Sequence, residues 1–160
     1  TTPGWRMLEK EAVEHGGGVN HRIGLFDMIL IKDNHIAAAG SITNAVEKTR
    51  EYLNTPDFRL QFEKKSDEIE IEVEVTSEDE LTEAINAGVD RLLLDNQGLD
   101  ALAKLVQRAR SLNSNVKLEA SGNVSLVTAA DIAATGVDFI SIGALTHSAP
   151  ASDFSLKVIA

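Results

Sequence analysis

The chain has 160 residues, 43% of them hydrophobic and 25% charged, which suits one globular domain with a sizeable core. Its formal net charge of −10 repels phosphate backbones and anionic lipid, so general nucleic-acid or membrane-surface binding is excluded and any phosphate site must be local. There is no cysteine, hence no disulfide framework and no thiolate chemistry; with no signal-peptide core and no apolar run of spanning length, the expectation is a soluble cytoplasmic protein.

Thr2 as a cap and Pro3 at the first helical position open a helix. Trp5, Leu8, Ala12 and Val13 keep a helical spacing within it until Gly16, Gly17 and Gly18 stop it. His15 falls in the last turn, where a surface residue compensates the helix dipole. Next comes VNHRIGLFDMILIKDNH at 19–35, whose apolar middle predicts a buried strand over 27–32. His21 and Arg22 precede that strand, and Lys32, Asp33, Asn34 and His35 follow it. Cations gathered around one strand suggest an anionic ligand, and α/β sheets place ligands at the carboxyl ends of their strands.

A second helix is expected from Ser41, with Ile42, Ala45, Val46, Thr49 and Leu53 on its inner face. Residues 54–67 read as an insertion, in which the alternation of Phe58, Leu60 and Phe62 allows a short edge strand. EIEIEVEV at 68–75 alternates strictly. Ser77 and Glu80 then make a capping-box signature for a helix carrying Leu81, Ala84 and Ile85. From there a unit of a little over twenty residues recurs. NAGVD leads into the strand RLLLD, and TGVD into FISIG, each glycine standing where a helix needs a left-handed cap. Between these lie a helix with Leu102, Leu105, Val106 and Ala109, the strand VKLEAS at 116–121, and a helix with Leu126, Ala129, Ala130 and Ala133.

Alternating strands and helices imply a parallel sheet with right-handed crossovers. Five units without a dinucleotide fingerprint favour a partial (β/α) barrel over a Rossmann sheet, and five strands are too few to close one. The fold class is therefore α/β, with residues 1–160 as an incomplete barrel domain interrupted by the 54–67 insertion.

Within EIEIEVEV, Glu68, Glu70, Glu72 and Glu74 share one face. In a barrel that face is interior, where unpaired charge is costly, so Lys32, Lys117 or a divalent cation is expected as partner. Glu74 and Asp95 end their strands and suit Mg²⁺, which takes one or two carboxylates together with phosphates. Ser121, Gly122 and Asn123 end one strand and open the next helix; Ile142, Gly143 and Ala144 do so one unit later. Small residues there let backbone N–H groups approach a phosphate. His21 and His35, fourteen apart, match no zinc spacing, and His147 reads as a structural hydrogen-bonding residue.

GGGVNHRIGLFDMILIKDNH, IEVEV, LLLDN, LEASGNV, TGVDFISIGALTHS and DFSLKV, in this order, resemble quinolinate phosphoribosyltransferase, the carboxylating nicotinate-nucleotide pyrophosphorylase. The resemblance implies a pentosyltransferase of NAD biosynthesis. Quinolinate and phosphoribosyl pyrophosphate would give nicotinate mononucleotide, CO₂ and pyrophosphate, with Mg²⁺ as cofactor, in a cytoplasmic homodimer or larger homo-oligomer. It also implies that His21, Arg22 and Lys32 hold the quinolinate dicarboxylate. Glu74 and Asp95 would meet the ribose and metal, Lys32, Glu74 and Asp95 being the catalytic set. Ser121, Gly122, Asn123, Ile142, Gly143 and Ala144 would cradle the 5′-phosphate. That placement suits the chemistry, since a dicarboxylate wants Arg and Lys donors and a cationic ribosyl transition state wants carboxylates.

The family also carries an N-terminal domain, a Thr-Arg-Lys triplet and a partner-supplied Arg that this sequence lacks, so weak ligand binding and poor turnover are expected of the 160 residues alone. Two alternatives stand beside this reading: a non-catalytic phosphate-binding piece of the same fold, and a molybdenum-transport-associated relative.

Overall fold

The structure, a computed structural model, describes residues 1–61 and 68–159. In chain order its first elements are α1 (Arg6–His15), β1 (Ile29–Ile31), α2 (Asp33–Ala39), α3 (Ile42–Leu53) and α4 (Pro56–Gln61). There follow β2 (Ile71–Val75), α5 (Glu78–Asn86), β3 (Arg91–Asp95), α6 (Leu99–Leu112) and β4 (Lys117–Ser121). The last are α7 (Ala129–Ala134), β5 (Phe139–Ile140) and α8 (Ala144–His147). Two compact units result, His21–Ile142 and the pairing of Thr1–Asn20 with Gly143–Ala160.

In the smaller unit α1 packs against α8. The helix begins later than the Thr2 cap and Pro3 predict. Pro3 and Gly4 instead form the corners of a turn closed by the Trp5 N–H on the Thr2 carbonyl, and Trp5 takes the N-cap position with no side-chain cap. The glycine run ends α1 as expected, and the Asn20 amide ties back to the Lys10 carbonyl and the Glu14 carboxylate.

The larger unit is a five-stranded, all-parallel sheet in the order β1-β2-β3-β4-β5. Sequential order without reversal is how a barrel wall grows, and it provides no switch point of the Rossmann kind. Side chains alternate across the pleat. Ile31, Ile71, Val73, Val75, Leu92, Leu94, Leu118 and Ala120 face the helices, where Ile42, Ala45, Val46, Leu53, Leu81, Ala84, Leu102, Leu105, Val106 and Ala109 complete one buried core. Gly88 and Gly136 adopt φ of +75° and +93°, the left-handed caps expected before β3 and β5.

Several local expectations are revised. The polar run after β1 opens a helix that the sequence did not announce: Lys32 caps α2 and its N–H donates to His35 Nδ1 at 2.9 Å. Residues 56–61 form a helix, so the proposed edge strand at 58–62 is absent at its described positions; Phe62 lies outside the described residues. Thr55 Oγ1 accepts the Phe58 N–H and Pro56 supplies the first helical residue, a start signal that outranks the alternation. β2 starts at Ile71, leaving Glu68 outside it. Ser77 does cap α5, but the Glu80 carboxylate reaches the Thr76 N–H rather than that of Ser77. Residues 121–123 open an irregular turn rather than a helix, with α7 starting at Ala129. The inner face expected there fails as well: Leu126 is fully exposed, while Ile132 and Val137 pack on the core. β5 closes after two residues instead of running to Gly143.

Candidate functional site

The sheet face turned away from the helices carries charge. Strand register places Glu72 beside Arg91 and Arg91 beside Lys117, and neighbours in register share a face. Arg91 nonetheless reaches along that face to the next residues on either side. Its guanidinium meets Glu70 at 2.8 Å and Glu119 at 3.1 Å, and lies 4.4 Å from the centre of the Phe139 ring. Lys117 also binds Glu70, and the Ser141 hydroxyl donates to Glu119. Next to this lattice His21 Nε2 sits 3.0 Å from Glu72 and 3.7 Å from Glu119. Both acids are buried, and Glu72 Oε1 has no hydrogen-bond partner.

At the carboxyl ends of the strands the polar residues interlock. Lys32 Nζ is 3.0 Å from Glu74, and the Ser121 hydroxyl donates to Asp95 at 2.6 Å. Asp95 also accepts from the Asn96 amide at 2.7 Å. Gly122 follows with φ +95°, and a Cβ built there would stand 2.2 Å from Asn96 Oδ1. No side chain fits, so the backbone of this turn can approach its neighbour, or a ligand, closely. The Asn123 amide donates to Asn96 Oδ1 at 3.3 Å. The adjacent β3 and β4 turns are therefore one hydrogen-bonded rim.

Of the residues singled out from sequence, Lys32, Glu74, Asp95, Ser121, Gly122 and Asn123 belong to this rim. His21 stands over the buried carboxylates instead. Arg22 turns back toward its own segment, donating to the Met28 carbonyl at 3.4 Å. Ile142 closes the larger unit, whereas Gly143 and Ala144 belong to the smaller one, where Gly143 is the N-cap of the four-residue α8. A Cβ at Gly143 would fall 2.8 Å from His147 Nε2, and His147 Nδ1 pairs with Ser148 as a structural histidine does.

The family profile described as quinolinate phosphoribosyl transferase, C-terminal domain, matches residues 1–157. The chain belongs to that family. A probable nicotinate-nucleotide pyrophosphorylase [carboxylating] of Synechocystis is 45% identical over 99% of the chain and 50% of its own length. A Bacillus subtilis protein with the same name shows 45% identity over 99% and 50%. The crystal structure of NadC from Streptococcus pyogenes superposes with a TM-score of 0.83 at 39% identity, covering 99% of this chain and 50% of that one. The chain thus spans about half the length of the curated relatives it matches.

For this quinolinate phosphoribosyl transferase domain, sequence reasoning named Lys32 and Lys117 as partners of the glutamate strand and both are found there. Arg91 was missed. The available signal was its position as the first residue of RLLLD, opposite the glutamates once the strands are parallel. His21 was read only as a ligand-facing base, although a histidine beside a glutamate-rich strand is also a natural partner for it. Among the described residues the three metal-capable side chains with ligand atoms within 4.8 Å of one another are His21, Glu72 and Glu119.

Titration of this face runs in opposite senses at neighbouring glutamates. Burial, with the Glu119 charge, pushes the Glu72 carboxyl above its ordinary 4.5, against the opposing pull of the His21 hydrogen bond. At Glu70 burial also acts upward, but the Lys117 hydrogen bond and the Arg91 and Lys117 charges outweigh it and hold the carboxyl below 4.5. Linkage then fixes the signs. What Glu72 contributes is present in full below pH 4.5 and lost as pH rises through its elevated folded value. What Glu70 contributes is present above pH 4.5 and lost as pH falls through its lowered one. Glu72→Gln is expected to flatten the stability curve just above pH 4.5, read by urea unfolding at stepped pH. An unchanged slope there would mean that the carboxyl is solvated.

Proposed function

We propose that this domain supplies the phosphoribosyl-transfer rim of a carboxylating nicotinate-nucleotide pyrophosphorylase. Quinolinate and phosphoribosyl pyrophosphate would give nicotinate mononucleotide, CO₂ and pyrophosphate. The observation that carries the reading is the two pairs Lys32–Glu74 and Asp95–Ser121 at the carboxyl ends of four neighbouring strands, beside a glycine turn that admits no side chain. That edge is where parallel α/β folds work.

Each part has a matching task. Lys32, with His21 and Arg22, offers donors for an aromatic dicarboxylate. Glu74 and Asp95 lie on the same pleat face of adjacent strands and favour the positive charge that develops at the anomeric carbon as pyrophosphate leaves. The hard oxygen donors of Glu74 and Asp95 also fit Mg²⁺, which when bound would neutralise the departing pyrophosphate. The Ser121, Gly122 and Asn123 backbone suits the 5′-phosphate. Positioning and electrostatics suffice, with no protein nucleophile. Action as a cytoplasmic homodimer rests on the resemblance alone.

Calorimetric titration of the 160-residue chain with quinolinate and, separately, with phosphoribosyl pyrophosphate tests the reading. Weak but saturable binding of both is expected. Binding of the phosphoribosyl ligand with no response to quinolinate would instead favour a non-catalytic phosphate-binding role. Lys32→Met is expected to weaken quinolinate by tenfold or more, since a charge-assisted hydrogen bond is worth about 1.5–3 kcal/mol. Equal affinity in wild type and variant would remove Lys32 from the substrate set.

A further inference from the structure

We propose that Glu72 and Glu119 are positioning residues for His21, two buried carboxylates that accept the proton on Nε2 and so fix the orientation in which Nδ1, carrying a second proton, donates to an acidic ligand. The inference deepens the reading of His21 as ligand-facing and rests on it. An ionised carboxylate can only accept, so a ring nitrogen 3.0 Å from Glu72 Oε2 and 3.7 Å from Glu119 Oε1 has to donate. Neither acid is free to swing away. Glu119 is gripped from one side by Arg91 at 3.1 Å and from the other by the Ser141 hydroxyl. Glu72 is fully enclosed as the second residue of β2, between Ile71 and Val73, both of which are locked in the core on the opposite face.

Charge balance points the same way. The lattice sets Glu70, Glu72 and Glu119 against two fixed cations, Arg91 and Lys117. His21 lies 3.0 Å from the third acid, Glu72. Glu72 Oε1, buried without a partner, leaves that carboxylate dependent on the histidine for its hydrogen bonding. A histidine is commonly held in one tautomer by the acceptor that its other nitrogen meets. Here two acceptors converge on a single nitrogen, a stronger constraint than one flexible surface acid would impose.

The test is the ring ¹⁵N spectrum of the ligand-free chain at one fixed pH. The sequence has four histidines, so a His21→Asn variant assigns the signal. Protonation at Nε2 of His21 is expected, together with a marked change of the His21 ring shifts in Glu72→Gln, whose amide can donate as well as accept. Quinolinate affinity should fall about tenfold in Glu72→Gln while phosphoribosyl pyrophosphate affinity is unchanged. Should that variant fold poorly, Glu119→Gln and the wild-type spectrum carry the same test. A wild-type ring protonated on Nδ1 alone, or ring shifts indifferent to both variants, overturns the proposal. So does retention of one equivalent of zinc or manganese after dialysis that is lost in Glu72→Gln, since the three residues would then be metal ligands. Failure of the wild-type chain to bind quinolinate would instead count against the proposed function and leave the ring assignment standing.

Discussion

Replacing Arg91 by alanine is expected to destabilise the domain by about 3–5 kcal/mol, the usual cost of removing one partner from a buried ionic group. The Arg91 side chain is only 13% exposed, and that of Glu119 only 2%. Without the guanidinium, Glu119 keeps the Ser141 hydroxyl and the distant His21 nitrogen among the described residues, and Glu70 keeps Lys117. The Phe139 ring loses its cation as well, a contact worth about 0.5–1 kcal/mol or more when desolvated. The unpartnered Arg91 Nε disappears with the side chain, a relief too small to reverse the sign. Urea unfolding measures the difference. A Glu119→Gln background should lessen the damage, because a neutral amide is cheaper to strand than a carboxylate. A loss under 1 kcal/mol in Arg91→Ala would show the lattice to be open to water.

A second large effect is expected at Phe58. It is 2% exposed, belongs to the main core, and meets the Tyr52 ring edge-on with centroids 5.8 Å apart. Phe58→Ala should cost about 3–5 kcal/mol, the range for emptying a buried aromatic site. Tyr52→Ala should cost much less, since Tyr52 is 44% exposed. Comparing the two by thermal or urea unfolding decides whether α4 is docked in the core. Equal, small losses would reduce this segment to a surface insertion.

Phe58 also shows where reading the chain by itself went astray. A polar stretch with a proline looked like an insertion, and alternating Phe58, Leu60 and Phe62 looked like an edge strand. The cap at Thr55 and Pro56 lies in the same residues and outranks the alternation. α2 was missed for a related reason: the four polar residues Lys32 to His35 after a strand have no periodicity to announce a helix, and the cap at Lys32 works through its backbone and the His35 ring. At α7 the expected face of Leu126, Ala129, Ala130 and Ala133 is built largely from small residues, whose pattern carries little amphipathic signal.

Much of the rim, in contrast, was readable. Lys32, Glu74, Asp95 and Ser121 stand at the ends of apolar or alternating runs, and once those runs are parallel strands their ends must meet at one edge. The same logic made Gly88 and Gly136 recognisable as left-handed caps.

Sequence by itself determined the order of the five strands and of α1, α3, α5 and α6, the face of each strand that would be apolar, and the row of polar groups at the carboxyl ends. These are local properties, set by periodicity, capping and the pleat, and they need no knowledge of neighbours. Tertiary structure alone decided which cation answers which acid. Arg91 bridges Glu70 and Glu119, His21 settles over Glu72, and Gly143 and Ala144 fall in the smaller unit. Those pairings join residues that lie about twenty or more positions apart, and they depend on strand register and on side-chain reach along a shared face, quantities that no single segment encodes.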